Sequence, residues 1–187
     1  RDAEASIVVA HPELESRLRH VTENLGIRFL RTDELLSSAT GPLPEIEPSR
    51  RAMILYTSGT TGKPKGAVHT HLNIQTQVTS LIEAWKWSPK DYILHVLPLH
   101  HVHGIVNVLT CALWSGAKCE ILPRFDAQEV WRKMIDRDLS LFMAVPTIYV
   151  KLIAAWEEAP PDRQRLMSEA CGKLRLMVSG SAALPVS

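Results

Sequence analysis

The chain has no long hydrophobic run, very little cysteine and no surplus of either charge. No apolar stretch reaches the roughly 18 residues that a membrane-spanning helix needs. Lysine and arginine number 21 against 20 aspartates and glutamates, a net charge of +1. A nucleic-acid-binding surface normally shows a basic excess, so that partner is not expected. The three cysteines, Cys111, Cys119 and Cys171, are widely spaced and odd in number. They read as reduced intracellular thiols, not as a disulfide framework or a zinc site. No internal repeat is found. What remains is the ordinary composition of a soluble globular chain: 187 residues, 45% hydrophobic and 22% charged. The first residue is Arg1 and the last, Ser187, follows a motif-like stretch. Both ends are expected to be cut, and no targeting segment can be read.

One stretch stands out, YTSGTTGKPKGAVHTH from Tyr56 to His71. The apolar run before it, Ala52 to Tyr56, has the character of a buried strand. After it, Ile74, Val78, Leu81, Ile82 and Trp85 recur at helical spacing within 72–85. Between strand and helix lie Gly59, Gly62 and Gly66, the hydroxyls of Thr57, Ser58, Thr60 and Thr61, and the amines of Lys63 and Lys65. Glycines let backbone N–H groups turn towards one anion, and hydroxyls and ammonium groups add donors and charge. The combination is that of a polyphosphate cradle. It is not the G-x-x-x-x-G-K-[ST] loop. Thr57 stands where the first glycine belongs, and Pro64, which has no N–H, follows Lys63. The plain alternative is a flexible Gly/Thr surface loop.

The order YTSGTTGKPKG resembles the phosphate-binding loop of the adenylate-forming superfamily, which includes acyl-CoA synthetases, luciferases and the adenylation domains of peptide synthetases. The match is complete from Thr57 to Gly66. The resemblance implies that this loop holds the β- and γ-phosphates of ATP while a carboxylate attacks the α-phosphate. Ser58, Gly59, Thr60, Thr61, Gly62, Lys63 and Gly66 would bind phosphate. Lys65 would be catalytic, with the threonines as main donors and Mg²⁺ neutralising the phosphates.

Strands and helices alternate along the chain. Strands are expected at 6–10, 27–30, 52–56, 92–97, 118–122, 141–145 and 174–178, with helical spacing between most of them. The segment from Thr40 to Arg51, with three prolines, reads as a connecting loop or an interdomain linker. A buried helix is expected from Ile105 to Trp114, and a charged loop from Glu157 to Arg165. Asp126 with Glu129 has the spacing of a capping box. The fold class that follows is α/β with a largely parallel sheet. Ligands of such sheets sit beyond the carboxyl ends of the strands. The segments SGTTGKPKG, PLHHVHG, VPT and SGSAALP all follow strands, and they are expected to converge on one cleft.

Four of the eight histidines, His95, His100, His101 and His103, cluster around PLHHVHG. A metal site is one reading, but no Cys, Asp or Glu stands nearby to complete it. A turn capped by histidines is another. The superfamily resemblance gives a third. LPLHHVHG is similar to the segment carrying an aromatic or histidine gate, with His101 at the position that separates the carboxylate site from the ATP site. A donor or cation there would offset charge as carboxylate meets phosphate. HVLPLHHVHG, FMAVPTIY and LMVSGSAALP together look like malonyl-CoA synthetases, the animal acyl-CoA synthetase family member 3 type included. That resemblance makes Arg124, in LPRF, the group that holds the second carboxylate of a dicarboxylic acid; the plain reading is a surface arginine. Ser179 and Ser181 either line the same pocket or simply make the turn after the last strand.

The resemblance runs from about Ala52 to the end and is weaker from Asp2 to Pro48. It implies an acidic YGMTE-like segment, a ribose-binding aspartate and a catalytic lysine, none of which occurs in the sequence. The chain is therefore expected to be part of one AMP-binding N-terminal domain, without the C-terminal domain, and inactive alone. The expected parent is an ATP-dependent acid–CoA ligase acting on malonate or methylmalonate, with ATP, Mg²⁺ and CoA. Its compartment by resemblance is the mitochondrial matrix, and the cytoplasm otherwise. The alternatives are an adenylating enzyme with a non-CoA acceptor and a non-catalytic nucleotide-binding module.

Overall fold

A computed structural model describes residues 3–36, 41–57 and 64–183. The chain forms two compact units, 1–47 with 56–67 and 48–55 with 68–187. In the first, strands β1 (Ile7–Ala10) and β2 (Arg28–Arg31) pair in parallel, and helix α1 (Glu15–Asn24) connects them. Pro12 opens a short 3-10 turn before α1, and Gly26 closes the helix at φ +64°. The β-α-β unit anticipated from the sequence is thus formed. The five-residue helix α2 (Thr32–Leu36) was not anticipated.

Strands β3 (Arg51–Thr57) and β4 (Lys65–Thr70) make a separate two-stranded sheet. β4 corrects the expectation that the Gly/Thr/Lys loop runs straight into a helix. Its residues are exposed or half-buried, so no apolar alternation announces it in the sequence. The following helix, α3 (His71–Trp85), begins at a reciprocal cap: Asn73 N–H donates to Thr70 Oγ1 and Thr70 N–H donates to Asn73 Oδ1, both at 3.1 Å.

The second unit holds a four-stranded, all-parallel sheet in the order β6 (Lys118–Ile121), β5 (Tyr92–His95), β7 (Leu141–Ala144), β8 (Leu176–Ser179). Its two central strands, β5 and β7, are buried on both faces, as a parallel sheet covered on both sides requires. Tyr92, Leu94, Val96, Phe142 and Ala144 pack with buried residues of α5 (Ala127–Asp136), α6 (Pro146–Glu157) and α7 (Pro161–Gly172). Ile93, Leu97, Leu141 and Met143 pack on the opposite face against α3, a π-helix (His103–Thr110) and α4 (Cys111–Ser115). Each large apolar side chain buried in this way contributes about 1.5–3 kcal/mol. Among the described residues no helix is long and apolar enough to cross a membrane.

Three local expectations are corrected here. The segment expected as a buried helix from Ile105 starts at His103 and is wound as a π-helix, and its continuation leaves Leu113 and Trp114 exposed. The charged loop expected over 157–165 is mostly helix: Pro161 occupies the first turn of α7, where a missing N–H costs nothing, and Met167 and Ala170 bury its inner side. Asp126 does cap α5, accepting from Glu129 N–H at 2.8 Å, but the Glu129 carboxylate binds Arg132 and does not return to the cap.

Candidate active site

The strand order fixes where a cleft can form. From β5 the chain passes to β6 on one side, then crosses back to β7 on the other. The order therefore reverses between β5 and β7, the position at which open α/β sheets carry ligands. Beyond β5 the chain runs through Val96 and Leu97 into PLHHVHG; beyond β7 it runs through Val145 into Pro146.

Two cavities open there. One, of about 490 Å³, is lined by Leu97, Pro98, His101, Arg124, Phe125 and Val145, among others. The other, of about 310 Å³, shares Leu97, Pro98, His101 and Val145 and adds His103 and Ser181. His101 thus stands between a cavity bearing a guanidinium and a cavity bearing an imidazole and a hydroxyl. A third cavity, of about 450 Å³, lies between α3 and the π-helix and is lined by Asn73, Gln77, Val102 and Val106, among others. Of the four segments expected to converge, PLHHVHG, Val145 of VPT and Ser181 of SGSAALP line these cavities, and residues 58–63 of SGTTGKPKG lie outside the described residues. A hydrogen bond of 3.2 Å from Gly180 N–H to the Ala144 carbonyl holds the SGSAALP turn beside β7.

The PLHHVHG turn is tightly built. A Cβ on Gly104 would stand 2.2 Å from the Pro98 carbonyl oxygen, so only glycine fits. The rings of His100 and His101 lie against each other with centroids 4.3 Å apart, tilted by 48°. His103 is buried and its Nδ1 lies 2.9 Å from Ser181 Oγ. Burial lowers the His103 pKa below the ordinary histidine value, favouring the neutral ring. His95 is also buried, and neither of its ring nitrogens has a partner among the described residues. Burial first, and the nearby His103 second, lower its pKa as well. Among the described residues there is no group of three or more His, Cys, Asp or Glu placed to hold a metal.

The remaining candidates fall as follows. Ser179 does not share these cavities; it lines a hollow with Tyr149, Ile153 and Met177. Of the phosphate loop, Thr57 ends β3, Lys65 opens β4 and Gly66 follows it in β4; Thr57 Oγ1 donates to the Lys65 carbonyl at 3.5 Å. Ser58, Gly59, Thr60, Thr61, Gly62 and Lys63 lie outside the described residues. Sequence reasoning missed His103 as a site residue, because its pairing with Ser181 spans 78 positions. It also missed Asn73 and Gln77, which read only as the polar side of α3.

The chain is similar to several known proteins. The mitochondrial malonate–CoA ligase ACSF3 of Mus musculus is 45% identical over 199 residues, covering 100% of this chain and 34% of that protein. The crystal structure of ATP-bound MatB from Rhodopseudomonas palustris superposes with a TM-score of 0.82 at 31% identity, over 97% of this chain and 36% of that one. A malonyl-CoA ligase in a ternary product complex with methylmalonyl-CoA and AMP gives a TM-score of 0.81 at 32% identity, over 98% of this chain and 38% of that one. The chain therefore spans about a third of the length of these relatives. The AMP-binding enzyme family matches residues 1–187 throughout, and the chain belongs to that family.

Proposed function

We propose that this chain is part of an ATP-dependent acid–CoA ligase that activates malonate or methylmalonate. The observation that best supports this reading is that Arg124 and His101 line one cavity at the strand-order reversal. A monocarboxylate needs a single anion site beside the nucleotide; a dicarboxylate needs a second. The guanidinium of Arg124 is suited to a carboxylate, which it can bind through two parallel N–H···O bonds. The name of the mouse relative and the product in the ternary complex point to the same acids.

The proposed reaction has two steps. A carboxylate oxygen of the acid attacks the α-phosphorus of ATP, forming acyl-adenylate as the bond to pyrophosphate breaks. The thiolate of CoA then attacks the acyl carbon, forming the thioester as AMP leaves. Thr57 to Gly66, with Lys65, would hold the departing pyrophosphate, and His101 would offset charge between the two reactants. Mg²⁺ would enter with ATP as part of that substrate and neutralise phosphate charge. The complete activity belongs to a protein of the relatives' length, in which this chain supplies the N-terminal phosphate loop and the acid cavities.

Pyrophosphate exchange into ATP with malonate, methylmalonate and acetate tests this reading in such a protein. Exchange driven by malonate or methylmalonate well above acetate is expected; exchange indifferent to the acid overturns it. We also propose a place in the mitochondrial matrix; the name of the mouse relative, which says mitochondrial, supports the organelle. A fluorescent fusion of the full-length protein is expected to colocalise with a matrix marker, and a diffuse cytoplasmic signal would overturn that placement.

A further inference from the structure

We propose that His103 is the positioning residue for Ser181, fixing the turn after β8 so that its hydroxyl lines the cavity beside His101. The inference rests on the reading that this cavity receives the acid.

Three observations carry it. First, Ser181 is a non-glycine residue at φ +65°, a left-handed conformation that costs energy and persists only where the surroundings impose it. Second, the bond that can impose it is present: His103 Nδ1 lies 2.9 Å from Ser181 Oγ. Third, His103 is itself held. It is 6% exposed and starts the π-helix, and Gly104 after it is wedged against the Pro98 carbonyl. The ring also lies beside the turn: a Cβ added to Gly180 would stand 3.6 Å from His103 Cε1. An anchored imidazole therefore meets an exposed, strained serine across 78 positions, and both line the same 310 Å³ cavity. Without the imidazole, nothing among the described residues holds the hydroxyl: Ser181 Oγ has no other hydrogen-bond partner there.

The test is a double-mutant cycle in the full-length protein with His103→Phe, Ser181→Ala and the double variant, and with His103→Asn and His103→Gln beside them. Asparagine places a polar atom where Nδ1 stood; glutamine reaches towards Nε2 instead. Loss of one buried hydrogen bond predicts that the apparent KM for malonate rises about tenfold in either single variant and in the double alike. The KM for ATP should stay unchanged, and His103→Asn should return most of the loss while His103→Gln does not. Additive losses, rescue by glutamine, or equal effects on ATP overturn the proposal. A second readout needs no turnover. In protein carrying ¹⁵N-labelled histidine, the His103 imidazole signal, identified by its disappearance in His103→Asn, should shift in Ser181→Ala. An unmoved signal overturns the pairing even where malonate is not the acid. Absent malonate-dependent exchange in the unmodified protein, together with a shifted signal, would instead overturn the substrate reading and leave the pairing standing.

Discussion

Arg175 donates from Nε and Nη2 to the two carboxylate oxygens of Asp91, each at 2.7 Å, across 84 positions of sequence. The same carboxylate accepts from Ser140 Oγ at 2.7 Å and from Ser88 N–H at 2.8 Å. Arg175 also reaches the carbonyls of Trp85 and Lys86 at the end of α3. The network joins the starts of β5, β7 and β8 to α3, at the end of the sheet opposite the cavities. Asp91 is 3% exposed, so removing either partner leaves a buried charge or a cluster of unanswered donors.

Asp91→Asn is expected to destabilise the fold by about 2 kcal/mol, since Arg175 is a third exposed and water partly compensates it. Urea unfolding at pH 7 measures this directly. Burial raises the Asp91 pKa, but the bonds from Arg175, Ser140 and Ser88 outweigh it and lower the value to about 2. An unfolded aspartate titrates near 3.9. The contribution is therefore complete above about pH 5 and is lost as pH falls through about 4 towards 2. Between pH 5 and pH 2.5 the unmodified protein should lose more stability than Asp91→Asn does; parallel losses would remove Asp91 as the cause.

Gly104→Ala is expected to destabilise by roughly 1–3 kcal/mol, because the added methyl meets backbone at Pro98 and not a side chain that can turn away. Gly172→Ala is the control: nothing lies within 4 Å of its Cβ position and its backbone is helical. It should be neutral or slightly stabilising. Thermal unfolding of the two variants separates them, and equal midpoints would contradict the close approach at Gly104.

Lys65→Ala, in a protein of the relatives' length, should slow malonate-dependent pyrophosphate exchange by about 100-fold or more, the effect of losing one strong contact to developing negative charge. An unchanged rate would remove Lys65 from the phosphate site.

Arg124→Ala should raise the KM for malonate by roughly 10-fold or more, as expected for a lost charge-assisted hydrogen bond of about 1.5–3 kcal/mol. Acetate has no second carboxylate, so its KM should move little. Equal effects on both acids would show that Arg124 does not read the distal charge.

The sequence by itself determined the class of fold, most strands of the sheet and which loops would gather at the cavities beyond β5 and β7. These are local properties. Ile93 and Leu94, or Leu141 and Phe142, are adjacent apolar residues on opposite faces of a strand, and continuous apolar runs of that kind belong to a sheet covered on both sides. The family resemblance selected His101 and Arg124, and both line the cavity that follows β5. Where the local signal was thin, the sequence reading failed: β4 buries almost nothing, and α7 buries only Met167 and Ala170. Other features only the tertiary structure decided: the strand order that places β7 beside β5, the position of Ser181 but not Ser179 beside His101, the His103–Ser181 contact and the Asp91–Arg175 pair. Their physical reason is common. Hydrophobic period is written in neighbouring residues, whereas a hydrogen bond spanning 78 or 84 positions exists only after packing of the sheet and its helices has brought both partners to the same place.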